Sequence, residues 1–491
     1  MKLTRRRKQR RKGEREEKGM EKLLQGIQAV NGVLNDFAWG PVMLLLLVGT
    51  GAWLTVRTRC IQVRRFGYIL RNTVGTLFRP SEADHGENLS PFQAVSTALA
   101  GTVGTGNIAG VTGAIFIGGP GAVFWMWVSA FLGMCTKYAE IALAIRFRNK
   151  DENGVHYGGP MYYIENGLGK NWKWLAVLFS ILGVLASFGI GNIAQGSEIA
   201  GAVVSLSGTR NPAAVSLAVG LVLAAVVAVV VLGGVKRIGQ VTSYLVPFMA
   251  AFYILAGLAL IVLRIDQVPQ AFADILSGAF SLRSVGGGAA GYGIMVAMRQ
   301  GVARGVFSNE AGLGSAPIAH AASSTEEPAE QAIWGVFEVF VDTIVICTIT
   351  SLVVLLSGLE LGETALAAYS SNGAAAAAAF NTILPGNWGG TLLQISLLFF
   401  ALSTILSWSY YGGRCLGYLS GNNRVVDMLY KFIFIAVCVV GATGSGSLMW
   451  EISDTLNGLM ALPNLIALLL LSGTVIEITR NYFDKNRKKG Y

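Results

Sequence analysis

Phe92 to Ile117 reads as one hydrophobic stretch except in its middle, where Ala100-Gly101-Thr102-Val103-Gly104-Thr105-Gly106-Asn107 interrupts it. A helix surrounded by lipid gains nothing from such a run. Each glycine costs a helix about 1 kcal/mol relative to alanine, and backbone groups released into hydrocarbon cost several more unless something satisfies them. A cation on the freed carbonyls and an anionic group on the freed amides would satisfy them. The segment therefore reads as a ligand site made of unwound helix.

The rest of the chain supplies the membrane setting. Of its 491 residues 53% are hydrophobic and 13% charged, a balance far from that of soluble domains. The first apolar run, 37–56, is long enough to stay in the bilayer rather than serve as a cleaved signal. Cys60, Cys135, Cys347, Cys415 and Cys438 are scattered without metal or redox spacing and read as ordinary apolar residues. His85, His156 and His320 lie in or beside polar loops, where a solvated surface role is expected.

Apolar runs of about 20 residues predict eleven spans, near 37–56, 91–117, 120–147, 173–204, 213–232, 239–263, 290–318, 329–357, 388–412, 426–444 and 448–476. The seventh is the least hydrophobic. Lys and Arg in alternate connections total 20 on one side against 3 on the other, leaving out the N-terminus, so the formal charge of +10 reports orientation rather than nucleic-acid binding. This places the C-terminus in the cytoplasm, and eleven spans then place the N-terminus outside. The eleven basic residues within 2–22 oppose that placement, although most lie beyond the reach of the rule. A missed twelfth element or an interfacial helix at 20–36 is the alternative. Residues 1–18 are expected to be disordered, and 477–491 to form a basic cytoplasmic tail.

The seventh span is broken too. Arg304-Gly305-Val306-Phe307-Ser308-Asn309-Glu310-Ala311-Gly312-Leu313-Gly314-Ser315 places glycines, polar residues and a glutamate at membrane depth. With the first span set aside, spans 2–6 (91–263) and 7–11 (290–476) form two halves, each opening on an interrupted helix. Five spans per half require opposite orientations, which is an inverted repeat, and paired broken helices in such halves point to a transporter's central site. Glycine-rich packing motifs are the competing reading, but they do not need Asn and Glu beside them. The amides around Thr105, Gly106 and Asn107 suit a carboxylate, as helix N-termini do. The unwound carbonyls near Phe307 suit an ammonium.

At these residues the chain resembles the alanine or glycine:cation symporter family. The resemblance is carried by Ser96 through Gly110, by Gly119-Pro120-Gly121-Ala122-Val123-Phe124-Trp125-Met126-Trp127 and by Phe307 through Pro317, and runs from about Leu34 to Glu477. It implies an all-α membrane protein of the leucine-transporter type, two inverted five-helix repeats preceded by one extra helix. It also implies import of alanine, glycine or both, coupled to Na+ by alternating access. No enzyme activity, organic cofactor or nucleic-acid partner is expected, and one copy in a prokaryotic inner membrane suffices for transport.

By the same resemblance Thr105, Gly106, Gln195, Phe307, Thr404 and Trp408 surround the substrate. The two aromatics would leave room for a hydrogen or a methyl side chain and little more. The carbonyls of Ala100, Val103 and Phe400 and the hydroxyls of Ser403 and Thr404 would hold Na+, although serines and threonines commonly bond back to their own helix. Thr102, Asn107, Ser308 and Asp342 sit on the right spans for a second cation. Asp342 is an ionisable group deep in an apolar helix and thus functional by default; an ion pair with arginine or a protonated acid are its alternatives. Glu310 is expected to cap the unwound backbone of span 7, with a response to protons as the alternative. Lys137 and Glu140, three apart on span 3, are expected to pair, and Arg299 and Arg304 to cap the outer part of span 7, with gating of the outer vestibule as the alternative.

Proton coupling remains open at this level, and a channel is a more distant rival because glycine-rich broken helices also line filters. Ser315 and His320 lack any surrounding hydrolase motif, and Gly104-Thr105-Gly106 follows no strand that would make it a nucleotide loop.

Overall fold

In a computed structural model, residues 25–77, 86–280, 290–384, 386–444 and 447–488 are described and are almost wholly helical. The basic segment 1–24 lies outside them. Among the described residues nine helices are long and apolar enough to cross a bilayer, ten when the pair Pro91–Thr102 and Thr105–Gly118, bent by 55°, is taken as one. The seventh expected span, 290–318, is not among these. Its helix Ala290–Asn309 carries four glycines and two arginines, too polar a stretch to cross on composition alone.

Several boundaries differ from those read from the sequence. The first element runs from Gln25 to Arg57, 33 residues with a turn at Trp39 and Gly40 in place of a separate interfacial helix. Its early part docks on the last span: Asn35 donates to Thr455 at 3.0 Å, and the Trp39 indole to the Asp454 carbonyl at 3.2 Å. The expected tail is helical from Ser472 to Lys488, where Tyr482 meets Tyr68 at 2.8 Å. Helices Val268–Phe280 and Asn372–Ile383 also form between spans. The second of these is an alanine run whose first turn is capped by Ser371, which accepts from the Ala374 amide at 3.1 Å.

Spans 4 and 8 each contain a wide π-helical turn, at Gly189–Ile193 and Phe340–Cys347. Such turns insert an extra residue and re-aim the side chains beyond them. Hydropathy does not register them, since they leave the run apolar. The first half of span 2 packs against spans 6 and 9, the helix Ala290–Asn309 lies along span 3, and span 4 packs against spans 9 and 10. Both interrupted helices thus reach the middle of the bundle.

Candidate functional site

Span 2 starts on a reciprocal cap. Ser90 accepts from the Gln93 amide at 3.1 Å, Gln93 accepts from the Ser90 amide at 3.0 Å, and Pro91 occupies the first helical position. The helix ends at Thr102, because Val103 and Gly104 turn extended, and it resumes as one tight turn, Thr105–Asn107, before Ala109–Gly118. The Asn107 side chain closes the gap by accepting from the Gly104 amide at 2.8 Å. Thr105 lies fully buried, and its hydroxyl has no hydrogen-bond partner among the described residues. A buried orphan of this kind costs on the order of 1–3 kcal/mol, which a ligand would recover.

Span 9 runs along the first half of span 2 and fixes its register. Ser407 donates to the Thr97 carbonyl at 2.6 Å. One turn on, Ser403 donates to the Phe400 carbonyl at 2.9 Å and lies 3.3 Å from that of Ala100, while Thr404 donates to Phe400 at 2.9 Å. Four of the five expected sodium ligands are therefore gathered where the two helices touch, and all are buried. Val103 is buried beside them, with no described contact from its carbonyl to the hydroxyls. Gly104 is required here: a Cβ at that position would stand 2.7 Å from the Thr404 hydroxyl oxygen.

On the other side of the break, a Cβ on Gly106 would meet Phe307 Cδ1 at 3.1 Å. Trp408 packs on Gly191 in the wide turn of span 4, where no side chain would fit, and its indole donates to Glu310 at 3.2 Å. Gln195 donates to the Ile190 carbonyl at 3.1 Å; its oxygen is buried without a partner, and no hydrogen bond links it to the break.

Three of the four residues assigned to a second cation meet. Asp342, on the wide turn of span 8, accepts from Asn107 at 2.7 Å, Ser308 at 2.9 Å and Thr343 at 2.8 Å. The carboxylate thereby ties both helix breaks to span 8. Thr102 is not part of this group, because its hydroxyl turns back to the Ala98 and Leu99 carbonyls of its own helix. Cys347, read as plain apolar filling, joins the cluster at 3.3 Å from Ser308.

The second break runs from Glu310 to Ser315. Glu310 holds a left-handed backbone at φ 55°, as do Gly312 at 95° and Gly314 at 83°. Such a conformation costs a residue with a Cβ on the order of 1–2 kcal/mol. The Glu310 side chain accepts from the side chains of Ser315 and Trp408 rather than from a backbone amide of the unwound turn. It is Glu140 that caps the broken backbone, accepting from the Gly312 amide at 3.0 Å and from Asn464 at 2.5 Å, while Tyr163 donates to Asn464.

The structure overturns three further expectations here. Lys137 pairs with Glu338 on span 8 at 3.3 Å rather than with Glu140, because Glu140 faces the broken backbone of span 7. Arg304 and Arg299 reach other helices instead of capping their own. Arg304 meets Asp454 at 3.4 Å while lying over the Phe307 ring, and Arg299 meets Asp36. His156 and His320 are buried, the former bonded to the Ser323 carbonyl at 2.9 Å, the latter held between Gln331 and Glu338. His85 lies outside the described residues.

Comparison with known proteins agrees with this architecture. Residues 24–491 match the profile of the sodium:alanine symporter family. The chain is 48% identical to the sodium/alanine symporter AgcS of Methanococcus maripaludis, over 94% of this chain and 99% of that protein. It is 44% identical to an uncharacterized transporter of Haemophilus influenzae, over 95% and 98% of the two chains. Among solved structures, MhsT in complex with L-phenylalanine superposes with a TM-score of 0.55 at 14% identity, over 80% of this chain and 99% of that one, a likeness of fold alone. A multi-pass membrane chain matched along nearly its whole length in this way belongs to the sodium:alanine symporter family, and is thus a sodium-coupled amino-acid symporter and not an enzyme.

Proposed function

We propose that this symporter imports alanine and glycine through a central site at the two helix breaks, with Na+ held where span 2 meets span 9. The observation that carries the reading is the break at Val103 and Gly104, which places the orphan Thr105 hydroxyl, the Gly106 backbone and the Ser403–Thr404 pair in one buried locus. The amides of Thr105, Gly106 and Asn107 take the carboxylate, and the carbonyls near Phe307 take the ammonium. Gln195, Phe307, Thr404 and Trp408 enclose the side chain.

Ser403 and Thr404 now place their protons among the carbonyl oxygens of Ala100 and Phe400. A cation that turns those hydroxyls around gathers the same oxygens, with Val103, as ligands. Amino acid and sodium share Thr404 and the span 2 backbone, so each raises the affinity for the other. Asn107, Ser308 and Asp342 form the second cation site, without Thr102.

In this reading spans 2–6 (91–263) and 7–11 (290–476) are inverted repeats of the leucine-transporter type, with 290–318 as the seventh crossing and 37–56 as the added helix. The C-terminus is cytoplasmic, the N-terminus outside, and the membrane a prokaryotic inner one. Purified protein in liposomes tests the function: alanine uptake should require an inward sodium gradient and persist when the proton gradient is collapsed. Uptake indifferent to sodium would overturn the reading.

A further inference from the structure

Beyond the central site, a second cavity of roughly 350 Å³ lies between the end of span 4, the helix Asn372–Ile383 and span 9. Its mouth is at Ser205 and Ser370, both exposed, and its deep end reaches the buried Leu397, one turn from Phe400. It lies on the side of the membrane that carries the 208–211 turn, which the charge count places outside. Glu198 lines it together with Ser371, Asn381 and Gln394.

Glu198 is the feature that demands a function. A carboxylate within the bilayer's depth normally pairs with a cation or a donor, yet among the described residues Glu198 makes neither an ion pair nor a hydrogen bond, and no Lys, Arg or His lines the cavity. The amino end of helix Asn372–Ile383 is the nearest positive element: Glu198 Oε2 stands 3.2 Å from where a Cβ on Gly373 would be, but no amide of that turn bonds to it. One turn inward on the same helix face is Gln195, whose oxygen is also buried without a partner. Two side chains with partnerless oxygens, Glu198 and Gln195, thus follow one another inward along span 4.

We infer that this cavity is an outer waiting site for a small cation, either the ammonium group of the arriving amino acid or sodium itself, held by Glu198 before it moves to the central site. The inference rests on the proposed direction of transport and on the central site lying at the helix breaks. Hydroxyl and amide groups around the carboxylate suit either source, since both cations want several oxygens. Gln195 then supplies the next acceptor along span 4.

The test uses full-length protein in sealed liposomes, carrying Cys60→Ser and Ser370→Cys, so that an exposed thiol reports from the cavity mouth. A membrane-impermeant cationic thiosulfonate should label this thiol about five- to tenfold faster than an anionic one of the same size, as a single unscreened carboxylate nearby would produce. Glu198→Gln should bring the two rates within twofold. Protection against labelling then identifies the source. Slowing by sodium chloride but not choline chloride assigns the site to sodium; slowing by alanine in choline, but not by N-acetylalanine, assigns it to the ammonium. Equal labelling rates in the presence of Glu198, or a charge preference that neither ligand protects, would overturn the inference. Sodium-driven alanine uptake by the same liposomes is measured alongside. If uptake persists while protection fails, only the waiting site falls; if uptake is independent of sodium, the functional reading falls with it.

Discussion

Replacing Gly106 by alanine probes the size limit of the central site directly. The added methyl would stand 3.1 and 3.2 Å from two ring carbons of Phe307 and 3.6 Å from the Ser308 Cα. Carbon atoms in good contact lie about 3.5–4.0 Å apart, so the ring must give way by a few tenths of an ångström. It is boxed in by Arg304, whose guanidinium lies 5.4 Å from the ring centroid. In the proposed site the displaced ring is pushed into the space assigned to the substrate's side chain. Crowding of this kind costs about 1–3 kcal/mol, and a methyl group gained or lost in such a pocket shifts discrimination by roughly 10–200-fold. Gly106→Ala should therefore lower kcat/KM for alanine at least tenfold more than for glycine, measured by initial uptake rates in liposomes under a fixed sodium gradient. Adding Phe307→Leu removes the ring and should return the alanine-to-glycine ratio to within about threefold of the parent, a coupling on the order of 1 kcal/mol between neighbours. A thermal melt of each variant controls for folding. Equal loss for both substrates, with unchanged melting, would refute the placement of the substrate's side chain against Gly106 and Phe307.

Asp342→Asn should fold, because the Ser308 and Thr343 hydroxyls at 2.9 and 2.8 Å are free to turn and accept from an amide, but it should flatten the steepness of sodium activation; an unchanged activation curve would remove the second cation from the reading. Glu140→Ala strands the Gly312 amide, at about 1–3 kcal/mol, and removes one of the bonds that Asn464 donates, the other going to the Gly312 carbonyl, so it should lower the melting temperature, while Glu140→Gln, which keeps an acceptor oxygen, should lower it far less. Burial holds His156 below the ordinary histidine value, with Arg148 and Lys150 adding to the effect. Below pH ~6.5 the unfolded chain takes up a proton that the folded side chain refuses, so local stability should fall as the pH drops from about 7.5 to 5.5. Hydrogen exchange at 149–157 and 319–326 should quicken over that range and do so less in His156→Gln; a flat profile in the parent would contradict the burial argument.

The positions of the two breaks were legible because glycine, asparagine and glutamate inside an apolar run have no other physical rationale. The Ser403–Thr404 pair was legible as neighbours on one helix, and the structure sets it against Ala100. What spacing could not supply was direction across helices. Lys137 and Glu140 share a helix face, yet each is claimed by a different neighbour, Glu338 and Gly312, and only packing decides that. Thr102 stands beside the break in sequence but turns its hydroxyl inward on its own helix. Asn464 gave no sign of supporting a distant break, since a single amide in an apolar span fits many roles. The wide turns at Gly189–Ile193 and Phe340–Cys347 escaped notice because an extra residue in a helix leaves the hydrophobic run intact.

Leu89, just before span 2, donates its amide to the Ala322 carbonyl at 3.0 Å, and its own carbonyl accepts from the Ser324 amide at 2.7 Å. Arg148 clasps the Ser323 and Thr325 carbonyls of the same strip at 2.6 and 2.7 Å. The near ends of both interrupted rods are consequently stitched to one shared seam. Tilting either one alone would break these bonds, so the two are expected to unlatch together on that face of the bilayer.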